Sequence, residues 1–547
     1  MLSRFLNCLL MMGKSVNLLD METQPLILSI DLGSQSLRCS LVDKCGESVL
    51  SSCYRYNAPF IKSDIPGYAE QEPLFYYEAL KKACRSLFEQ DPDFSYRKRI
   101  KAVILSCIRD TVVLLDKDKK PLRNIITWMD CRRAQKKAKI SFPVKVALFL
   151  VGMKETFDML YKNSYYNWIA ENEKEILEKT DKFVLISTYM NYLLTGVLAD
   201  STSGQVGHIP YDYKNRKWLT GGLTRHIAPV PVSKLCDLVE VGKVIGKITE
   251  KASEDTLIPA GLDLIAGGTD KTCETLGLSV LEPDKAAVSL GTAATIEFST
   301  SRYFTPAPFL PSYPAVVPGY YNVEYQLYRG YWSVTWFVKE FCQKEIEEAQ
   351  KLGVIPEKIL DSFLEEVPAG CNGLLITPHF APGSVNPFAK GVVTGLTDEH
   401  GKKHIYRALI EGITFDLFHA MKKMERRGRT QIKEIYIAGG GGSSDTIMQI
   451  FADIFGLPAK RIQTREATGL GAAVAAFTAI GEFSSYGDAL TAMVHDKDVF
   501  YPNMDLHNFY MDIYIRVYKQ LERRNTGLFR IIRKIQSRSV DNSKKHS

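Results

Sequence analysis

Two strand–turn–strand segments of the same design, about 260 residues apart, constrain the fold of this chain most strongly. In the first, the apolar run Leu26 to Ile30 leads into a small polar turn at Gly33 to Ser36. In the second, Ala286 to Phe298 surrounds the turn Gly291 to Ala293. Each segment predicts two strands around a turn that can donate several hydrogen bonds. The repetition indicates an internal duplication in which each lobe begins with one hairpin.

The rest of the chain alternates between helical and strand-like patterns. We predict helices where apolar residues recur at helical spacing and one further strand at a β-branched run. The helical segments are Tyr165 to Leu177, Asp181 to Leu194, Tyr406 to Arg426 and Thr446 to Phe455, and the strand is Ile432 to Ala438. This alternation predicts an α/β protein with mixed sheets. We place the boundary between the lobes near Glu282 to Asp284.

Size and charge favour a globular enzyme over a nucleic-acid-binding protein. The 547 residues allow two or more domains, and 45% of them are hydrophobic. The net charge of +7 is spread along the chain, whereas nucleic-acid binding favours a concentrated basic face. The densest basic stretch, Arg523 to Lys545, is typical of a solvated chain end. We therefore expect no nucleic-acid partner.

Cysteine usage and hydropathy indicate a cytoplasmic protein without a membrane span. The eleven cysteines form no CxxC pair, which suits free thiols in a reducing compartment. His400 and His404 predict a loop or helix start rather than a metal site. No apolar stretch approaches the roughly 20 residues that a membrane span needs. Residues 1–24 are predicted to be an extension outside the fold rather than a signal peptide.

A candidate catalytic carboxylate follows two glycines at Gly267 to Asp270. A carboxylate in this position can accept a proton from a substrate hydroxyl. About 20 residues later, Gly291 and Thr292 can present backbone N–H groups to a phosphate. A base beside an anion-binding turn indicates phosphoryl transfer to an alcohol.

A second glycine run, Gly439 to Gly442, lies between the predicted strand and helix of the second half. Glycines there allow a ligand to approach the backbone at a helix N-terminus. A dinucleotide fingerprint needs a glycine at the sixth position, which is Ser444 here, and the chain has no Walker P-loop. Nucleotide binding would therefore need another architecture.

In their order along the chain, these segments resemble the FGGY carbohydrate kinases, a branch of the actin-like ATPase superfamily. The resemblance runs from about Leu26 to Phe483. The matching segments are Asp31 to Arg38, the W-x-D-x-R pattern of Trp128, Asp130 and Arg132, Tyr192 to Gly196 with Asp200 to Thr202, Gly267 to Asp270, Gly291–Thr292, Gly439 to Gly442 with Gln449 to Asp453, and Glu466 to Ala473.

The resemblance implies two ribonuclease-H-like lobes with mixed sheets and a deep cleft between them. The implied units are an N-terminal lobe at 25–283 that binds the sugar, a C-terminal lobe at 284–503 that binds ATP, and a C-terminal helix with a basic tail at 504–547. Asp270 would be the catalytic base, and Asp31 would hold Mg²⁺, through water. The implied ATP and phosphate ligands are Gly33, Ser34, Gln35, Ser36, Arg38, Gly291, Thr292, Gly440, Gly441, Gly442 and Gln449.

Two further roles stay open within this resemblance. Trp128, Asp130 and Arg132 are expected to be architectural, with the Trp packed under an Asp–Arg pair at the floor of the sugar site. Gln449 and Asp453 lie one turn apart and are expected either to meet the adenosine or to support its loop.

The sugar itself is left open by three departures from the family pattern. Arg109 and Asp110 stand where xylulose kinases carry S-G-Q-M-H, and they are closer to the glycerol kinase pattern. They are expected to bracket a diol, or else to form an ion pair at the surface. Lys271 follows the base where many relatives have Gln or Asn. It is expected to bind a phosphate or an acidic substrate, or else to face solvent. The loop Pro382 to Pro387 lacks the Glu and Arg of a common G-E-R-x-P segment.

The predicted function is ATP-dependent phosphorylation of a small sugar or polyol such as a ketopentose or pentitol. The alternatives are a glycerol kinase-like enzyme, a non-catalytic sugar-sensing pseudokinase, or an actin-like ATPase that acts on protein partners. Assembly as a homodimer is left open.

Overall fold

A computed structural model of the protein describes residues 24–58, 60–61, 63–381 and 388–543. The predicted N-terminal extension, apart from its last residue, and the departing loop Pro382 to Pro387 lie outside the described residues. The strands are β1 (Leu26–Leu32), β2 (Ser36–Val42), β3 (Ser48–Arg55), β4 (Glu70–Gln71), β5 (Ile100–Cys107), β6 (Val112–Leu115), β7 (Ile125–Ile126), β8 (Lys182–Leu185), β9 (Ala199–Ser201), β10 (Tyr211–Asp212), β11 (Lys217–Trp218), β12 (Asp237–Val239), β13 (Val244–Lys247), β14 (Asp263–Ile265), β15 (Lys285–Leu290), β16 (Ala294–Thr300), β17 (Tyr313–Pro314), β18 (Tyr321–Leu327), β19 (Leu375–Thr377), β20 (Val392–Thr394), β21 (Glu434–Gly439), β22 (Ala459–Ile462) and β23 (Asp496–Phe500). The helices are α1 (Phe75–Phe88), α2 (Phe142–Leu150), α3 (Lys154–Asn163), α4 (Tyr165–Asn172), α5 (Lys174–Lys179), α6 (Ile186–Thr195), α7 (Glu250–Thr256), α8 (Asp270–Gly277), α9 (Trp332–Phe341), α10 (Gln343–Leu352), α11 (Pro356–Glu366), α12 (Lys402–Gly428), α13 (Asp445–Phe455), α14 (Ala467–Ala479), α15 (Tyr486–Met493), α16 (Met504–Ile513) and α17 (Lys519–Ser543).

The first predicted hairpin lies at the centre of a mixed six-stranded sheet. Strand order is β13-β14-β5-β1-β2-β3. Strand β1 pairs antiparallel with β2 and parallel with β5, and every residue of β1 is buried. A strand buried on both faces reads as a continuous apolar run, as Leu26 to Ile30 does.

The second hairpin occupies the same place in a second mixed sheet. Its order is β17-β18-β16-β15-β21-β22-β23, and β15 pairs antiparallel with β16 and parallel with β21. The run β3-β2-β1-β5-β14-β13 and the run β18-β16-β15-β21-β22-β23 therefore match in order and in relative direction. The predicted α/β class and duplicated lobes are confirmed by this topology.

Helices α8 and α14 pack against each other and join the two lobes. Helix α8 contacts strands of both sheets, while α14, from the second half of the chain, packs on β1, β2 and β5. The two helices cross so closely that a Cβ on Gly471 would lie 1.9 Å from the carbonyl oxygen of Cys273. A Cβ on Gly277 would lie equally close to the carbonyl oxygen of Ala467, at 1.9 Å. Glycine at both positions permits the crossing that sets α8 between the lobes.

One predicted helix is wrong over its first five residues. The segment Asp181 to Leu194 begins as strand β8, which pairs with β6, and becomes helical only at Ile186. The apolar residues keep helical spacing through the strand and the helix. Periodicity alone therefore could not separate the two elements. The predicted helix over Tyr165 to Leu177 is divided at Glu173, where φ is −135°.

The C-terminal segment is helical and packs on the long helix α12. Helix α16 continues through a π-helical turn at Tyr514–Tyr518 into α17. Tyr510, Tyr514 and Tyr518 are buried, and their rings meet Phe415 of α12. Among the described residues, no helix combines the length and apolarity that a membrane span requires.

Candidate active site

Asp270 is the first residue of α8 and lies between the lobes. The hydroxyl of Thr269 accepts the N–H of Thr272 and caps the helix, and Asp270 Oδ1 accepts the N–H of Lys271 at 2.9 Å. Strand β14 ends at Ile265, so a four-residue link, rather than the strand end itself, delivers the carboxylate. Burial raises the pKa of Asp270, and the charges of Arg109 and Lys271 oppose part of that rise.

Asp31, at the carboxyl-terminal part of β1, lies close enough to Asp270 for the two charges to interact. Its Oδ2 accepts a hydrogen bond from Nη1 of Arg38 at 3.0 Å, across the β1–β2 pair. Burial raises the pKa of Asp31 to about 6, against the lowering effect of Arg38. Two predicted site residues, Asp31 and Asp270, thus meet in one carboxylate-rich region.

The first hairpin turn, Gly33 to Ser36, is closed by a hydrogen bond from the N–H of Gly33 to the carbonyl of Ser36 at 3.0 Å. Gln35 is exposed. Ser34 Oγ accepts the indole N–H of Trp128 at 2.8 Å. Because that bond occupies an acceptor site, the O–H of Ser34 can still donate to an anion.

Trp128 is positioned by the buried pair Asp130–Arg132. Both Asp130 oxygens accept from the Arg132 guanidinium at 2.8 Å, and Asp130 Oδ2 also accepts the N–H of Ala69. The predicted architectural segment therefore contacts the first hairpin turn, a connection that the sequence pattern did not reveal.

The second hairpin turn exposes Gly291 and Thr292. The N–H of Gly291 donates to the carbonyl of Ala293 at 3.1 Å, and the carbonyl of Thr292 accepts the N–H of Trp332 at 3.0 Å. The Trp332 contact fixes the turn from α9, so the threonine hydroxyl is presented on an anchored backbone.

The carboxylate of Asp110 is held by His208. Asp110 accepts the backbone N–H of His208 at 2.8 Å and lies 2.6 Å from its ring Nδ1. Asp110 has a positive φ of 49°, and a Cβ on Gly207 would lie 2.5 Å from its Oδ1. Burial lowers the pKa of His208, but the Asp110 charge and hydrogen bond outweigh burial, so the pKa is raised.

Arg109 is paired with a carboxylate of the second lobe. Its Nη1 and Nη2 donate to the two oxygens of Glu324 on β18, at 2.5 Å and 2.9 Å. Glu297 lies directly opposite Glu324 on β16, and Thr275 of α8 donates to it at 3.0 Å. Burial and the Glu324 charge raise the pKa of Glu297.

Lys271 faces the second lobe rather than solvent. Its ammonium donates to Glu274 at 2.6 Å and to the hydroxyl of Ser289 on β15 at 2.8 Å. Asp270 interacts electrostatically with both Arg109 and Lys271, so both candidate cations lie near the candidate base. Their direct contact with substrate stays a prediction.

The glycine run and Gln449 lie at the start of α13. Gly441 and Gly442 are buried, Gly440 is exposed, and Ser444 caps α13 by accepting the N–H of Ile447. The amide of Gln449 donates to Asp453 at 2.8 Å and to the carbonyl of Tyr501 at 2.9 Å. These contacts favour the supporting role among the two expected for Gln449.

Sequence reasoning missed His208, Glu297 and Glu324. The one charged residue in the strand Tyr321–Leu327 was the available signal for Glu324. Its partner lies 215 residues away, and no local pattern reports a pair of that separation.

Two family profiles match most of the chain. The FGGY family of carbohydrate kinases, N-terminal domain, matches residues 26–277, and the C-terminal domain of the same family matches residues 286–480. The chain belongs to the FGGY family of carbohydrate kinases. It is therefore a phosphotransferase with an alcohol group as acceptor and ATP as phosphate donor.

Individual relatives cover nearly the whole chain. A xylulose kinase of Staphylococcus epidermidis is 28% identical over 519 residues, 92% of this chain and 99% of its own length. A gluconokinase of Bacillus subtilis is 26% identical over 518 residues, 92% of this chain and 97% of its own. The crystal structure of gluconate kinase from Lactobacillus acidophilus shares the fold with a TM-score of 0.77 at 21% identity, covering 93% of this chain and 100% of that one.

Proposed function

We propose that the protein transfers the γ-phosphate of ATP to a hydroxyl of a small sugar or polyol, with Asp270 as the general base. The acceptor is a ketopentose such as xylulose or ribulose, or a pentitol. The observation that carries this proposal is the placement of Asp270 at the N-terminus of α8, between the lobes and beside Asp31 and Arg109. Xylulose kinases among the relatives support the ketopentose class.

The raised pKa of Asp270 suits a base that works near neutral pH. A carboxylate whose proton affinity is increased by burial accepts a hydroxyl proton more readily than an exposed one. In this role Asp270 takes the proton as the hydroxyl oxygen attacks the γ-phosphorus, while the bond from that phosphorus to the β,γ-bridging oxygen breaks and ADP leaves.

The two hairpin turns and the glycine run bind ATP. Gly33 to Ser36 with Arg38 contact phosphate on the first lobe, and Gly291 with the Thr292 hydroxyl contact the transferring phosphoryl group on the second. Gly440 to Gly442 lie beside the adenosine at the N-terminus of α13. The exposure of Gln35, Gly291 and Thr292 supports access to these turns.

Asp31 fits a Mg²⁺ ion that is shared with the nucleotide. Within the part of the chain that the structure describes, no three His, Cys, Asp or Glu side chains come together to hold a metal. Mg²⁺ with ATP is usually bound by one or two carboxylates, the phosphates and water, so a single Asp31 is sufficient. The ion would neutralise phosphate charge there.

A glycerol-like acceptor is the second candidate. It is favoured by Asp110, whose carboxylate is fixed by His208 and can accept hydrogen bonds from a diol. A ketopentose and glycerol would both be phosphorylated with the same base and the same hairpin turns. The two candidate functions therefore differ only in the size of the acceptor.

Release of ADP across an acceptor panel tests the proposal. Xylulose, ribulose, xylitol, arabitol and glycerol are each supplied with ATP and Mg²⁺ in a coupled assay. Turnover with a pentose or pentitol is expected to exceed the acceptor-free rate by about 10² or more. Sugar binding without ADP release would instead identify a sensor, and preference for glycerol would select the second candidate.

A further inference from the structure

The carboxylate of Glu324 occupies the two terminal nitrogens of Arg109, which could otherwise bind a carboxylate of the substrate. Both terminal nitrogens of the guanidinium are directed at the two Glu324 oxygens. The pair is buried, with side-chain exposures of 16% for Arg109 and 5% for Glu324. A two-oxygen, two-nitrogen pair of this kind is the geometry that guanidinium groups use to select carboxylates.

Both candidate cations of the sugar site are therefore already paired with carboxylates of the protein. Lys271 contacts Glu274, as Arg109 contacts Glu324. Asp270 adds another carboxylate to the same region. An acceptor that carries its own carboxylate would either displace Glu324 from Arg109, which is costly because the displaced charge stays desolvated, or bind the remaining N–H groups of Arg109 against the negative charges of Glu324 and Asp270.

Neutral acceptors face no such competition at Arg109. A guanidinium has five N–H donors, so the groups not directed at Glu324 can donate to a hydroxyl oxygen. The guanidinium carbon of Arg109 also lies over the Tyr313 ring, 5.7 Å from its centroid, which is within cation–π distance.

We propose that Glu324 is a specificity-determining residue that reserves Arg109 for neutral sugars and excludes aldonates. The proposal rests on the function proposed above, because it assumes that the acceptor reaches Arg109. Glu324 acts across the cleft: it lies on β18 of the second lobe, while Arg109 follows β5 of the first. Acceptor choice is thereby set by both lobes.

Glu297 provides a matched control. It lies directly opposite Glu324 on the neighbouring strand, is equally buried, and is hydrogen-bonded to Thr275 rather than to Arg109. Glu297→Gln changes a carboxyl group at the same depth of the second lobe while leaving the Arg109–Glu324 pair in place.

Calorimetric titration with gluconate tests the proposal separately from turnover. The wild-type protein and Glu297→Gln should bind gluconate weakly, Glu324→Gln should bind it about tenfold more tightly, and the double variant Glu324→Gln/Arg109→Met should lose the gain. Unchanged gluconate affinity in Glu324→Gln, or a gain that survives loss of Arg109, would overturn the role of Glu324.

A wild-type measurement keeps the test decisive if Glu324→Gln does not fold. Sorbitol, the neutral counterpart of gluconate, should bind the wild-type protein about tenfold more tightly than gluconate does. Equal affinity would contradict the proposal. Failure of every neutral sugar in the ADP assay would instead reject the proposed function, which these binding titrations do not measure.

Discussion

The indole N–H of Trp128 donates a hydrogen bond of 2.8 Å to the hydroxyl oxygen of Ser34, joining the W-x-D-x-R segment to the first hairpin turn. The buried Asp130–Arg132 pair fixes the chain that carries Trp128. The segment thus fixes the position of the hairpin turn that is proposed to bind phosphate.

Replacement of Trp128 by Phe should weaken ATP binding. Loss of one hydrogen bond of about 1 kcal/mol to Ser34 predicts a rise of about fivefold in KM for ATP, with kcat less affected. Steady-state kinetics at saturating sugar measure this. Trp218→Phe is the control, since Trp218 donates its indole N–H to the carbonyl of Cys236 instead. Equal KM values in the two variants would rule out the orienting role of Trp128.

The crossing of α8 and α14 predicts that Gly471→Ala lowers stability. Its Cβ would approach the carbonyl oxygen of Cys273 to 1.9 Å, and separating two packed helices costs about 1–3 kcal/mol. Thermal unfolding followed by circular dichroism should show a lower midpoint.

Gly469→Ala, on the same helix, is the matched substitution. The nearest atom to its Cβ would be Ser29 Oγ at 3.6 Å, an ordinary contact. Alanine also favours the helical conformation by about 1 kcal/mol over glycine. The midpoint of thermal unfolding should therefore stay unchanged or rise. A similar loss in both variants would show that the close crossing is not the cause.

Local patterns revealed the hairpins, the candidate base and the glycine run because each is a contiguous segment. The two strands of the first hairpin, for example, are recognisable from apolar runs on either side of Gly33. Strand β8 was missed because its apolar spacing runs without a break into α6. A role for Glu324 could not be predicted because it depends on the ion pair with Arg109. Residues that are neighbours in sequence do not indicate a pair that forms between the two lobes.

The His208–Asp110 pair predicts a pH-dependent contribution to stability. Because the pKa of His208 is raised above its ordinary value of 6.5 in the folded protein, the pair stabilises most below that value. The contribution is lost as pH rises through the raised pKa. Its immediate surroundings are Asp110 and the edge of the Tyr165 ring.

Chemical denaturation of the wild-type protein and His208→Gln between about pH 6 and about pH 9 checks this expectation. The difference in unfolding free energy should be largest at the acid end and shrink toward the alkaline end. In an Asp110→Asn background the same histidine substitution should lose that trend. A difference that grows with pH would contradict the assigned direction.

Single-turnover kinetics of Asp270→Asn test the central claim most directly. The amide keeps the size of the side chain but cannot accept the hydroxyl proton, so phosphoryl transfer should slow by about 10² or more while ATP affinity stays near wild type. Asp263→Asn, at a half-buried strand residue paired with Lys247, should retain wild-type rates. A near-wild-type transfer rate in Asp270→Asn would show that Asp270 is not the base.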